Sequence, residues 1–127
     1  MPKRKYADTD FFLALMKSSD WLKERARNIY SNNKGNIIVT PFTIAEIMIV
    51  CRREGIPIKR TIHQISRIAI LEGMKWETFV RACDFIDEGA TIFDSLLMAS
   101  CNADDEIISS DNIYEKFGFK IIDLKER

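Results

Sequence analysis

Ile37-Ile-Val-Thr-Pro-Phe-Thr-Ile-Ala-Glu-Ile-Met-Ile-Val-Cys51 decides how this chain folds. Three branched apolar residues in a row read as a strand buried on both faces. The polar turn Asn32-Asn-Lys-Gly-Asn36 leads into it. Thr40 supplies an N-cap hydroxyl and Pro41 fits the first helical position. Ile44, Ile47, Met48 and Cys51 then recur at helical spacing, until Gly55-Ile-Pro57 stops the helix. A buried strand passing straight into a helix is half of a βαβ unit, the building block of parallel sheets covered by helices.

The same alternation extends in both directions. Lys5 to Ala7 predicts a short strand ending at Asp8, and Phe11, Phe12, Leu15 and Met16 mark a helix after it. Ser19 is placed to cap a second helix with Trp21, Leu22, Ala26, Ile29 and Tyr30 on its apolar face. Residues 58–88 predict two amphipathic helices broken near Gly73. Ile62, Ile65, Ile68 and Ala69 mark the first; Trp76, Phe79, Val80 and Cys83 mark the second. An apolar helix follows Gly89, and Asn102-Ala-Asp-Asp105 turns the chain into the strand Glu106–Ser110, which ends on Asp111. A short helix at 112–117 and the strand Lys120–Leu124 close the pattern. The expected architecture is one α/β domain over residues 1–127, a three-layer α/β/α sandwich with a central parallel sheet.

At 127 residues the chain can bury a sizeable core without covalent staples. Nineteen basic and nineteen acidic residues cancel, so no global field advertises nucleic acid. Basic clusters are local: the N-terminal Lys3-Arg-Lys5, Arg52-Arg53 and Lys59-Arg60. The three cysteines, Cys51, Cys83 and Cys101, lack metal-ligand spacing and read as small buried side chains in a reducing compartment. The acid-rich start argues against a signal peptide, and no apolar run reaches membrane-spanning length, so a cytoplasmic location without membrane contact is expected.

Four acids stand out against this background. Asp94 is the one charged residue in the apolar helix after Gly89, with no Lys or Arg along that helix to pair with. An isolated buried charge is too costly to tolerate, so it must be paired, protonated or metal-bound. Asp8 follows the first strand, Asp111 follows Ile107-Ile108, and Glu46 lies about one and a half turns into the helix that leaves Thr40. Open parallel sheets carry their sites beyond the carboxyl ends of their strands, so Asp8, Glu46 and Asp111 converge by topology, and Asp94 joins them if the helix after Gly89 points its N-terminal half at that edge. Each has a bland alternative taken singly. Asp8 or Asp10 can cap a helix, Asp111 can cap the helix after it, and Glu46 can be a solvated helix residue. Together, carboxylates without His or Cys select a hard cation, Mg²⁺ or Mn²⁺, and with it phosphodiester hydrolysis. His63 reads as a surface residue, Asp104-Asp105 as a polar turn and Asp123 as structural. Trp21, Trp76 and Phe79 read as core. Arg52, Arg53, Lys59 and Arg60 are ordinarily a solvated face, with contacts to nucleic-acid phosphates as the alternative.

Four blocks carry a family resemblance: Tyr6-Ala-Asp8-Thr-Asp-Phe-Phe-Leu-Ala-Leu15, Ile38-Val-Thr-Pro-Phe-Thr-Ile-Ala-Glu46, Ala90-Thr-Ile-Phe-Asp94-Ser-Leu-Leu-Met-Ala99 and Ile107-Ile-Ser-Ser-Asp111. In order and spacing they resemble the PIN-domain nucleases, specifically the small prokaryotic VapC-like proteins. The resemblance implies an endoribonuclease dependent on Mg²⁺ or Mn²⁺, with Asp8, Glu46, Asp94 and Asp111 as catalytic metal ligands. It places Ser110 in the hydroxyl position before the last acid, with Thr9 and Asp10 supporting the first. It further implies an antitoxin partner, as in VapBC pairs, and a homodimer. The sequence departs from the family in its first strand, Arg4-Lys-Tyr6 where an apolar run is usual, and in carrying an acid at Asp10. Three other readings compete: a housekeeping RNA-processing nuclease, a non-catalytic RNA- or protein-binding module, and a haloacid-dehalogenase-type phosphatase with Asp8 as nucleophile.

Overall fold

The computed structural model describes residues 4–17 and 20–125. Among them twelve elements follow one another: β1 (Lys5–Ala7), α1 (Thr9–Met16), α2 (Lys23–Asn32), β2 (Ile37–Val39), α3 (Pro41–Glu54), α4 (Ile58–Ser66), β3 (Ile70–Leu71), α5 (Trp76–Asp87), α6 (Ile92–Ser100), β4 (Glu106–Ser109), α7 (Ile113–Lys116) and β5 (Lys120–Asp123). The strands form one sheet in the order β3-β2-β1-β4-β5, parallel throughout. In register, Tyr6 stands beside Ile38 and Ile107, and Ile38 beside Ile70.

Alternation along the strands divides the core in two, because successive side chains leave opposite faces of a sheet. Ala7, Ile37, Val39 and Ile108 join Phe11, Phe12, Ile29 and Ile47 from α1, α2 and α3 on one face. Tyr6, Ile38 and Ile107 join Leu97, Met98 and Tyr114 from α6 and α7 on the other. A smaller cluster, Ala82 with Leu96 and Ala99, packs α5 on α6. Helices cover both faces, so the sequence expectation of an α/β/α sandwich holds. The polar first strand pairs on both sides nonetheless: Lys5 lies near Glu106 of β4 at 3.6 Å, and the aliphatic stem of such a side chain packs well along a sheet.

The opening stretch behaves as read. The Thr40 hydroxyl accepts the Thr43 amide at 3.1 Å, Pro41 opens α3, and Gly55 ends it at φ 72°, a conformation that side-chain-bearing residues resist.

The rim differs from expectation. The segment after α4 does not stay helical to Gly73: Ile70-Leu71 forms the edge strand β3, and the Glu72 amide bonds to Val39 O at 3.0 Å. Ile68 and Ala69 already lie beyond α4. Trp21 and Trp76, read as core, are 78% and 86% exposed, and Val80 is 68% exposed. Cys83 is exposed, whereas Cys51 and Cys101 are buried. On α5 the reason is that Ala82 and Phe85 make the contact with α6, so Trp76 and Val80 fall on the side of the helix turned away from it. The Ser19 cap falls outside the described residues. No helix among those described is long and apolar enough to cross a membrane.

Candidate active site

Strand ends and helix starts build the site. The Asp8 amide continues the β1–β4 ladder onto Ile108 O at 2.9 Å. Its side chain is then turned into the gap between the two strands and the start of α1. Asp8 is the N-cap of α1: its Oδ1 accepts the Thr9 amide at 2.8 Å. Asp10 therefore does not hold the cap, and both acids remain at the same strand end. Asp8 Oδ2 accepts two hydroxyls, Ser109 Oγ at 2.9 Å and Tyr114 Oη at 2.8 Å. Tyr114 Oη also stands 2.9 Å from Asp94 Oδ1. Asp94 sits in the first turn of α6, which Thr91 caps by accepting the Asp94 amide at 3.2 Å. It is only half-buried, so the sequence picture of a charge sealed inside an apolar helix is too severe. The apolar part of that helix is its later turns, Leu96 to Ala99.

Asp10 lies beside Asp8. Its Oδ2 accepts the Ser110 amide at 2.7 Å and the Ser110 hydroxyl. Its Oδ1 is buried and has no partner. Glu46 joins from α3 by accepting the Thr9 hydroxyl. Asp111 is placed next to the network but outside it: its amide donates to Ser109 Oγ at 3.0 Å, while its exposed carboxylate accepts the Ile113 amide at 3.0 Å. Hydrogen bonds thus draw together Asp8, Asp10 and Asp94, attach Glu46 through Thr9, and leave the Asp111 carboxylate turned to the start of α7. Among the described residues no three acidic, His or Cys side chains stand close enough to form a ready metal cage. Nor does any described Lys or Arg form a side-chain ion pair with these five acids.

The electrostatics follow from burial. Desolvation, with the neighbouring charge of Asp10 added, pushes the Asp8 carboxyl up to about 7 against the lowering effect of its three donors. Asp10 is also raised, again chiefly by desolvation. The Tyr114 phenol is pushed far up by burial and by the two carboxylates it faces. A cluster of half-buried acids, oxygen donors throughout, with one buried carboxylate oxygen lacking a partner, is short of positive charge. That donor chemistry fits a hard divalent cation.

Two contributors escaped the sequence reading. Ser110, expected in the hydroxyl position before the last acid, bonds to Asp10; Ser109, fully buried, is the hydroxyl on Asp8. Tyr114 was not singled out within the short helix expected at 112–117. The usable signal was its hydroxyl, since a buried phenol needs a polar partner. Arg52 and Arg53 lie in the last turn of α3, about 9 Å of helix rise beyond Glu46 and toward the amino edge of the sheet. Lys59 and Arg60 are exposed in the first turn of α4.

The family model described as PIN domain matches residues 5–120. No curated protein sequence matches the chain. Among solved structures, a sarcin–ricin-loop-cleaving VapC toxin of Mycobacterium tuberculosis superposes with a TM-score of 0.75 at 12% identity, covering 91% of this chain and 95% of that one. A toxin–antitoxin complex from Klebsiella pneumoniae gives 0.76 at 14% identity, with 97% and 99% covered. DNA-bound VapBC from Salmonella typhimurium gives 0.75 at 11% identity, also with 97% and 99% covered. At these identities the likeness is one of fold.

Proposed function

The chain belongs to the PIN-domain family, and from that premise we propose that it is a divalent-metal-dependent endoribonuclease, the toxin of a VapBC-type pair. The observation that carries the proposal is the Asp8 carboxylate: half-buried, beside Asp10, sharing the Tyr114 hydroxyl with Asp94, and, among the described residues, in no ion pair with a cationic side chain. Among the described residues an RNA phosphate brought to this corner would face a cluster of carboxylates, and repulsion at a few ångströms in a partly desolvated site is large. Asp8, Glu46, Asp94 and Asp111 are the residues that would hold Mg²⁺ or Mn²⁺. When bound, such a cation supplies charge to the phosphoryl oxygens and acidifies coordinated water.

The chain's own groups do the positioning. The Thr9 amide and the Ser109 hydroxyl fix the two oxygens of Asp8. Thr9 orients Glu46, and Ser110 orients Asp10. The Asp111 carboxylate has only to leave the Ile113 amide, an exposed bond, to turn toward Asp8. Exposed Arg52, Arg53, Lys59 and Arg60 serve as outlying contacts for phosphates distant from the one cleaved. An antitoxin partner is proposed because the Klebsiella and Salmonella structures are toxin–antitoxin complexes. A homodimer and a cytoplasmic location belong to the same proposal.

One observation favours a second reading, a non-catalytic binding module: the Asp111 carboxylate engages a backbone amide instead of the other acids. Purified protein incubated with single-stranded RNA separates the two. Cleavage that requires Mg²⁺ or Mn²⁺, stops with EDTA and is lost in Asp94→Asn and Asp111→Asn supports the nuclease. Full cleavage by both variants, or none by the unsubstituted chain, refutes it.

A further inference from the structure

Tyr114 is fully buried in the cluster formed by Tyr6, Ile38, Leu97, Met98 and Ile107. For packing alone, phenylalanine would serve in such surroundings. The hydroxyl is the one polar atom of the ring, and burying it without a partner would be costly. It ends between Asp8 Oδ2 at 2.8 Å and Asp94 Oδ1 at 2.9 Å.

Three elements distant in sequence meet at that atom: the end of β1, the first turn of α6 and the short α7. The ring is held from behind, because Tyr114 O accepts the Phe117 and Phe119 amides, each at 3.1 Å, which fixes α7 on the connection into β5. The two carboxylates are not equally dependent on it. Asp8 has two other donors, the Thr9 amide and the Ser109 hydroxyl. The Asp94 side chain, among the described residues, has no hydrogen-bond donor other than Tyr114.

We propose that Tyr114 is a positioning residue whose hydroxyl bridges Asp8 and Asp94 and sets the orientation of the Asp94 carboxylate. The phenol carries one proton for two acceptors, so it cannot satisfy both at once. It aligns them without neutralising them, and leaves lone pairs on both carboxylates for a cation. The role rests on the nuclease reading in so far as those acids hold metal. The bridge itself exists with or without one.

The test has two arms. In the first, Mn²⁺ binding is measured by calorimetry for the unsubstituted chain, Tyr114→Phe and Ser109→Ala, with circular dichroism confirming the fold. Tyr114→Phe is expected to weaken Mn²⁺ binding about 10-fold or more, the usual result of removing a group that orients a metal ligand. Ser109→Ala is expected to weaken it less, since Asp8 keeps its other donors. In the second arm, EDTA-treated protein is unfolded with denaturant for Tyr114→Phe, Asp94→Asn and the double variant. The double variant is expected to change the unfolding constant by at least threefold less than the product of the single changes. Unchanged or tighter Mn²⁺ binding by Tyr114→Phe overturns the positioning role, and so does a strictly multiplicative cycle. Failure of the unsubstituted chain to bind Mn²⁺ sinks the nuclease reading instead, and the bridge is then judged by the cycle alone.

Discussion

The centre of the sheet and its β3 rim invert the usual relation between polarity and exposure. At the centre, where β1 and β4 end side by side, hydroxyls are buried and acids at least half-buried: Asp8, Asp10, Ser109 and Tyr114 form a connected network against apolar strands. At the rim, where β3 and α5 lie, Leu71, Trp76 and Val80 face outward. Both regions are strands followed by helices, so local pattern does not distinguish them. Position in the sheet does. A central strand end is enclosed by the helices that leave it and its neighbours, and polar groups there persist only by bonding one another. The edge strand has a neighbour on one side, and nothing in the chain requires its outer residues to be covered.

The contrast can be broken most strongly at the centre. Asp8→Asn keeps a residue that caps a helix as well as aspartate does, so α1 should survive while RNA cleavage falls by about 1,000-fold, or roughly 4 kcal/mol of barrier. Retention of cleavage within a few-fold, measured on a single-stranded substrate with Mn²⁺, would separate Asp8 from the chemistry. Stability sharpens the same comparison. Phe12→Ala, in the core beneath the site, should cost about 3–5 kcal/mol in denaturant unfolding. Trp76→Ala on the rim should stay within about 0.5 kcal/mol. Comparable losses for both would mean that the rim is covered in solution.

Acidity gives a further, smaller contrast. The folded Asp8 carboxyl lies near 7, above the ordinary 3.8, so the folded state holds its proton more tightly. The resulting stabilisation is full below the unfolded value and is lost as pH rises through about 7. Asp10 is shifted in the same direction. EDTA-treated protein should therefore unfold more easily at pH 8 than at pH 5, and Asp8→Asn should flatten that slope. A slope unaltered by the substitution would move its origin elsewhere. The smallest effect is expected from the outlying cations. Arg52→Gln with Arg53→Gln should weaken RNA binding by a few-fold at low salt, leave the rate at saturating RNA unchanged, and fade as salt screens the contacts.

How much was legible from sequence varies by residue. Thr40-Pro41 and Gly55 declared the limits of α3, because capping chemistry is local. Asp8, Glu46 and Asp94 were found from their places at strand ends and in helices, and hydrogen bonds link all three to one corner. Asp111 was placed at the right strand end, but which way its carboxylate turns was not legible, since an Asx-type bond to Ile113 and a turn toward Asp8 begin from the same sequence. Ser109 ends β4 and Ser110 follows it; only the pairing of β4 with β1 decides that Ser109 meets Asp8 as well as Asp10, and that Ser110 meets Asp10. Trp76 and Val80 matched a helical apolar stripe, yet periodicity cannot say whether a partner covers it.

The sequence by itself determined every strand and helix but the edge strand β3, the parallel sheet and the acids at its carboxyl edge, because caps, breakers and hydrophobic period act within a few residues. Only the tertiary structure decided that Tyr114 lies between Asp8 and Asp94, that Asp10 keeps an unpartnered buried oxygen, and that the aromatic stripe of α5 faces outward. Those facts depend on contacts between residues as many as 106 positions apart, and no local preference encodes which of them close.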